Sequence, residues 1–289
     1  MDIGLGLPNA VPGTEGRTLI SWAVDGEAAG FSTLATLDRV VYDNYDGLTA
    51  LAAAAAVTER INLTTAILIA PLWTSTALLA KQAASVDRLS HGRLTLGLAV
   101  GGRPDDFAAT GANPAGRGKR MDGQIEEMRK IWSGERRGYA GGIGPSPTRP
   151  QGPPLLLGGH AESAIRRAAS EADGWIGGSG GVGMFRRGAD AFRAAWQEQR
   201  RTVGPKLVAL AYFALGADAD KIANGYLRDY YGFAPPYAEA VVRATAIGEE
   251  KLLQLVEEFA AAGCHELILS PCSADVEQLK LLRSVLGKN

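Results

Sequence analysis

Four exits from short apolar runs carry the chemistry this sequence offers. After "FSTLATL" (31–37) come Asp38 and Arg39. After "RLTLGLAV" (93–100) come Gly101, Gly102 and Arg103, then Asp105 and Asp106. "LLLGGHAESA" (155–164) ends its run in Gly158 and Gly159 before His160 and Ser163. "DGWIGGSGGVG" (173–183) does the same with Gly177, Gly178, Ser179 and Gly180. In the first of these last two exits a helix is expected to start near His160 to Ala164, and the second repeats the theme. Bare N–H groups at a helix N-terminus bind phosphate without a basic side chain. Two such exits side by side suggest one phosphate clasped between them.

The charged exits suggest a different task. Asp38 fits a general base or a hydrogen-bond partner, and it equally fits a structural pair with Arg39. Arg39 cannot exchange a proton near neutrality, but it can hold an anion. Arg103 is a candidate contact to a phosphate or a ring. Asp105 and Asp106 fit the first turn of a helix, where acids complement its dipole. Segment 178–183 also satisfies G-x-G-x-x-G. It belongs to the sixth unit, and no acid closes a following strand at the expected distance, which argues against a Rossmann nicotinamide site.

The elements that must position these residues repeat through the chain. Eight apolar runs read as strands: 3–7, 31–37, 61–70, 93–100, 154–157, 173–177, 207–215 and 265–270. Each is followed by helical sequence. Met121, Ile125, Met128 and Trp132 mark one helical stripe over 119–132, and a second helix over 249–262 stops at Gly263. Alternating strands and helices imply a parallel sheet. Eight units in 289 residues predict a closed (β/α)8 TIM barrel as one domain, with an open doubly wound sheet as the alternative. The Gly/Pro-rich stretch 138–154 reads as a long loop, and 218–248 as an extra helical segment. In a barrel the active site lies at the C-terminal ends of the strands, where all four exits fall. In the fourth run Thr95, Gly97, Ala99 and Gly101 share one face. Their small size admits either close packing or a flat ligand.

Composition excludes several classes. Net charge is −1 and no long basic tract exists, so nucleic acid is not an expected partner. No apolar run approaches a membrane span, and the start "MDIGLGLPN" lacks the features of a signal peptide. A cytoplasmic protein without membrane association is expected. His91, His160 and His265 have no paired ligand spacing, so no metal is expected. Cys264 and Cys272 read as reduced thiols.

Read in order, these segments resemble the luciferase-like family of flavin-dependent monooxygenases and F420-dependent oxidoreductases. The resemblance rests on "VTERINLTTAILIAP" (57–71), "LLAKQAASVDRLSHGRLTLGLAVGGRPDDFAATG" (78–111), "RGKRMDGQIEEMRKIWSGE" (117–135) and "GPPLLLGGHAESAIRRAASEADGWIGG" (152–178). It implies a (β/α)8 barrel with FMN, or alternatively coenzyme F420, across the strand mouths. It implies a non-prolyl cis peptide at Ala66-Ile67 behind the ring, and gives the small face of the fourth strand a reason. It places the phosphate arm against Gly158, Gly159, His160, Ser163 and Gly177 to Gly180, with Gly101 and Arg103 as further cofactor contacts. Asn9 and Trp73 fall where the substrate pocket would be, and Tyr42 and Tyr45 are further lining candidates. Asp38 and Arg39 stand where many relatives carry an acid and a histidine. Val100 stands where bacterial luciferase carries an arginine, and Arg103 is the candidate to replace it.

The resulting expectation is a monooxygenase using reduced FMN and O2 on a small organic substrate. A separate flavin or F420 reductase as partner and a homodimeric state follow from the resemblance. The first alternative is F420-dependent hydride transfer. The second is a flavin-binding protein without catalysis, which the Arg39 departure permits.

Overall fold

The computed structural model describes residues 1–288. Eight parallel strands close into a barrel: β1 (Asp2–Gly6), β2 (Thr33–Thr36), β3 (Asn62–Thr65), β4 (Leu94–Ala99), β5 (Leu155–Gly158), β6 (Gly174–Gly177), β7 (Lys206–Ala214) and β8 (Glu266–Pro271). Each strand pairs with the next, and β8 pairs with both β7 and β1. The predicted TIM barrel is therefore the fold. Two short parallel strands extend it, Leu68–Ile69 beside β4 and Ala246–Ile247 beside β7.

The alternation along β4 explains how one sequence serves two layers. Leu94, Leu96 and Leu98 point outward into the shell between strands and helices, with Met128, Trp132 and Leu157. Such a shell buries roughly 1.5–3 kcal/mol per large side chain. A second core lies within the barrel and under its mouth, built from Ala35, Leu156, Val208, Leu210, Tyr212 and Ile268. The predicted helix over 119–132 begins two residues earlier, as Arg117–Trp132, and its Met121/Ile125/Met128/Trp132 stripe is buried.

The third run, predicted as continuous over 61–70, is broken. It divides into Asn62–Thr65 and Leu68–Ile69 around a cis peptide at Ala66-Ile67. Close packing, rather than a ring, accounts for most of the small face of β4. A Cβ at Gly97 would overlap the carbonyl oxygen of Thr65, whose hydroxyl bonds both the N–H and the C=O of Gly97 at 2.8 Å. Gly101 has φ +69°, and a Cβ there would overlap Ile69. Only Ala99 of that face reaches the cleft described below.

The 138–154 stretch is a loop fastened by an isolated bridge between Arg136 and Gly142. Over 218–248 two helices, Ala219–Tyr230 and Pro235–Ala244, fold back over the barrel mouth from the end of β7. Both cysteines are buried and free. Among the described residues, no helix is long and apolar enough to cross a membrane.

Candidate active site

The exits of β2 to β6 and the helical insertion after β7 surround a cleft of about 190 Å³. Ala66, Ile67 and Ile69 supply one apolar wall, and Leu210 and Ile176 the floor. Gly158, Gly159, His160, Gly177, Gly178 and Ser179 line the opposite edge. Asp38, Arg103, Tyr230, Tyr231 and Tyr237 complete it. A second cavity of about 470 Å³ lies on the far side of Asp38, between Arg39, Asn44, Asp46, Leu72 and Trp73. Asp38 is the side chain that both spaces share with the β2 exit.

The glycine edge is built from backbone. Gly159 has φ +125°, a conformation that side chains rarely adopt, and a Cβ there would lie 2.7 Å from that of Ala164. At Gly158 a Cβ would meet Ile67 Cδ1 at 2.7 Å. Helices Glu162–Glu171 and Val182–Glu198 start directly behind the two exits, and neither has a capping side chain. Among the described residues, the N–H groups of Gly159, His160 and Ala161 and of Gly178, Ser179 and Gly180 take no part in the loop and cap hydrogen bonds. Free donors on two adjoining loops, each running into a helix N-terminus, suit a phosphate. His160 stands edge-on to Trp175, with ring centroids 5.5 Å apart, while the Trp175 indole donates to the Gly159 carbonyl at 2.9 Å. Desolvation first, and then the charge of Arg187, lower the His160 pKa. The imidazole is thus neutral near pH 7, and a donor through one nitrogen only.

The opposite edge is built from side chains. Asp38 Oδ2 accepts from the Ile69 N–H at 2.8 Å. Burial, with smaller pushes from Asp46 and Asp106, raises its pKa to about 6 against the opposing Ile69 bond and Arg103 charge. Asp38 therefore changes charge close to neutrality, as a proton-transferring group requires. The Arg103 guanidinium lies 4.7 Å from the Tyr230 ring centroid and 4.9 Å from that of Phe233. Tyr231 is buried, its hydroxyl 3.2 Å from Ser179 Oγ and 3.0 Å from Tyr212 Oη.

Several sequence-predicted residues stand elsewhere. Arg39 is committed to structure: it donates to the Tyr230 carbonyl at 2.9 Å, pairs with Asp105 at 3.4 Å and lies against the Tyr42 ring at 4.4 Å. It faces the second cavity and not the cleft. Asn9 is fully buried, and its carboxamide accepts from Leu37 N–H and donates to the carbonyls of Leu37 and Tyr45. It pins the β2 exit and lines neither the cleft nor the second cavity. Trp73 walls the second cavity. Gly101 and Gly180 turn against Ile69 and Met184 and reach no part of the cleft, and Ser163 is exposed in the first turn of its helix. Tyr42 bonds Asp229 at 2.5 Å and Tyr45 bonds the Thr14 carbonyl at 2.8 Å, both outside the cleft. Asp106 does more than complement a dipole: its Oδ1 accepts from Val40 N–H at 3.0 Å and Val41 N–H at 2.7 Å, fastening the β4 exit to the β2 exit.

The residues that sequence reasoning missed are Tyr230, Tyr231 and Tyr237. Their signal was the run "YLRDYYGFAPPY" (226–237), which holds five aromatic residues in an insertion with no strand to fix its place.

Comparison with known proteins bears on the family and on the fold. The sequence pattern of the luciferase-like monooxygenases matches residues 1–263. An uncharacterized protein of Mycobacterium tuberculosis is 34% identical over 191 residues, covering 56% of this chain and 65% of its own length. A second from the same organism is 36% identical over 139 residues, covering 45% and 49%. The chain thus spans less than two thirds of the length of these relatives. Among solved structures, an F420-dependent secondary alcohol dehydrogenase in complex with an F420-acetone adduct superposes with a TM-score of 0.80 at 15% identity, over 99% of this chain and 98% of the other. Monooxygenase RslO1 from Streptomyces bottropensis gives 0.74 at 20%, over 99% and 98%. The FMN-bound oxygenating constituent of 3,6-diketocamphane monooxygenase from Pseudomonas putida gives 0.74 at 17%, over 99% and 96%. These likenesses bear on the fold.

Proposed function

This chain belongs to the luciferase-like monooxygenase family, and from that premise we propose that it is an oxidoreductase that takes reduced FMN at the barrel mouth and oxygenates a small organic substrate. The observation that carries this reading is the glycine edge, where unpaired N–H groups of two loops leading into helices adjoin one cleft. A reduced flavin, when bound, supplies the electrons and the reaction with oxygen. The chain's own residues do the rest. Gly159, His160, Gly178 and Ser179 would hold the phosphate. Ala66, Ile67 and Ala99 offer hydrocarbon to a flat ring. Asp38 holds or releases a proton at its carboxylate oxygens near neutrality. Tyr230, Tyr231 and Tyr237 close the cleft and limit water. A separate reductase would supply the reduced cofactor.

A second reading is hydride transfer with F420, and Asp38 is the observation that favours it. An acid with a pKa near 6 beside the cleft is suited to supply the proton that accompanies a hydride. Titration of the full chain with FMN and with F420, oxidised and reduced, separates the readings. FMN is expected to bind in the micromolar range or tighter. Binding of F420 in that range without FMN would move the assignment to the second reading. Failure of both at high micromolar concentration would overturn both.

A further inference from the structure

Two arginines stand at the mouth, and only one of them has a carboxylate partner. Arg39 has a carboxylate and a carbonyl partner. Arg103 lines the cleft, where Nη1 makes a long hydrogen bond of 3.3 Å to the Asp38 carbonyl and the guanidinium also lies near the Tyr230 hydroxyl. Its Nε is buried without a partner, as is that of Arg39, but among the described residues no carboxylate lies within ion-pair distance of Arg103. The guanidinium is held instead by rings: Tyr230 at 4.7 Å, Phe233 at 4.9 Å and Tyr231 at 5.9 Å. Such stacking fixes a guanidinium plane while leaving its edge donors unspent. A partly desolvated cation with free donors is costly until an anion meets it.

We propose that Arg103 receives the anionic group of the substrate, so that this protein acts on aromatic carboxylates. The proposal rests on reading the cleft as a cofactor and substrate site, and it names the substrate class. Arg103's contacts come from Asp38, at the β2 exit, and from the insertion after β7. None comes from the glycine edge, whose own donors suffice for a phosphate. The same insertion supplies the rings of Tyr230, Tyr231 and Tyr237 to the cleft, an apolar wall for a flat ring system. A cofactor anion is the competing source of the same chemistry.

Calorimetry on the full chain separates the two, using benzoate and benzamide as probes, each with and without saturating FMN. Benzoate is expected to bind at least about tenfold tighter than the isosteric neutral benzamide, the scale of one charge-assisted pair. Arg103→Met should erase that preference, Arg103→Lys should keep part of it, and both should leave FMN affinity within about threefold of the parent. Thermal melts of both variants verify folding, and the charge-retaining lysine carries the test should the methionine variant fail to fold. The proposal is overturned if the parent shows no preference for benzoate, if the preference survives Arg103→Met in a folded protein, or if the loss falls on FMN. If no form of the protein binds FMN while an Arg103-dependent preference for benzoate persists, the cofactor reading fails and the anion site stands.

Discussion

Glu266 and Asp38 are desolvated acids at opposite ends of one barrel, and they are treated in opposite ways. Glu266 opens β8 at the closed end. Its carboxylate meets Lys206 Nζ at 2.6 Å, Ser32 Oγ at 2.6 Å and Thr33 Oγ1 at 2.5 Å. Burial alone would raise its pKa, but Lys206 and the two hydroxyls outweigh burial and lower it. Asp38 follows β2 at the open end. It has one backbone donor, two acids in its field and a guanidinium that only partly compensates. The closed end satisfies its charge, whereas the mouth leaves its charge unsettled. That is the division a TIM barrel allows, with stability at one face and chemistry at the other.

Replacing Asp38 tests the comparison hardest. Asp38→Asn should lower turnover by about a thousandfold, within the range of a positioned acid or base, and should remove a limb near pH 6 from the rate profile of the parent. The same change should stabilise the fold. The raised pKa means that the folded state holds its proton more tightly than the unfolded chain. The carboxylate therefore costs stability as pH rises from the ordinary 3.8 through about 6. Above that window Asp38→Asn should gain on the order of 2 kcal/mol, and below pH 4 the gain should vanish, as read by denaturant melts across pH. A variant that is slower yet no more stable at pH 7 would break the contrast.

The glycine edge should respond in affinity. Gly159→Val combines a disfavoured φ with a clash against Ala164. It should weaken FMN binding about a hundredfold by blocking the approach to the free N–H groups, with about 2 kcal/mol of lost stability. Glu266→Gln should show the reverse balance. It removes the partner of Lys206 and should cost about 2 kcal/mol at neutral pH, with turnover unchanged. Because the Glu266 pKa is lowered, this contribution is present above about pH 4.5 and is lost as pH falls below it. The stability differences of Asp38→Asn and Glu266→Gln should thus have opposite signs at pH 7 and both shrink in acid.

The same two ends differ in how far the sequence discloses them. Strand runs, helix stripes and glycine exits follow local rules, and the barrel, its closure and the glycine edge could be read from them. The small face of β4 was legible as a pattern but not in cause: which atom opposes Gly97 depends on the register with Thr65, 32 residues away in the chain. Asn9 looked like a pocket residue because it follows a strand, yet its carboxamide is spent on the β2 exit. Arg39 and Arg103 were both readable in sequence as candidate contacts to an anion, Arg39 on the catalytic side and Arg103 on the cofactor side. Only the third dimension shows that Asp105 and the Tyr230 carbonyl occupy Arg39, while among the described residues Arg103 has no carboxylate partner. The tyrosines of the insertion were unreadable as site residues because no local signal says where two helices between β7 and β8 will fold back.

The two edges of the cleft are joined at Tyr231, whose hydroxyl links Ser179 on the glycine side to Tyr212 inside the barrel. Tyr231→Phe keeps the ring, so the Arg103 stacking and the packing on Tyr230 and Tyr237 persist. It strips one partner from each of two buried hydroxyls, and the expected loss of stability is about 1 kcal/mol. If the glycine edge depends on that tie to hold the loop after β6, FMN affinity should fall about twofold to threefold alongside the melting temperature. A stability loss with unchanged FMN affinity would instead show that Gly177 to Gly180 are held by the β6–β7 ladder and the packing of Trp175 and Phe185 alone. In that case the backbone edge would be rigid by itself, and the insertion would serve the substrate side only.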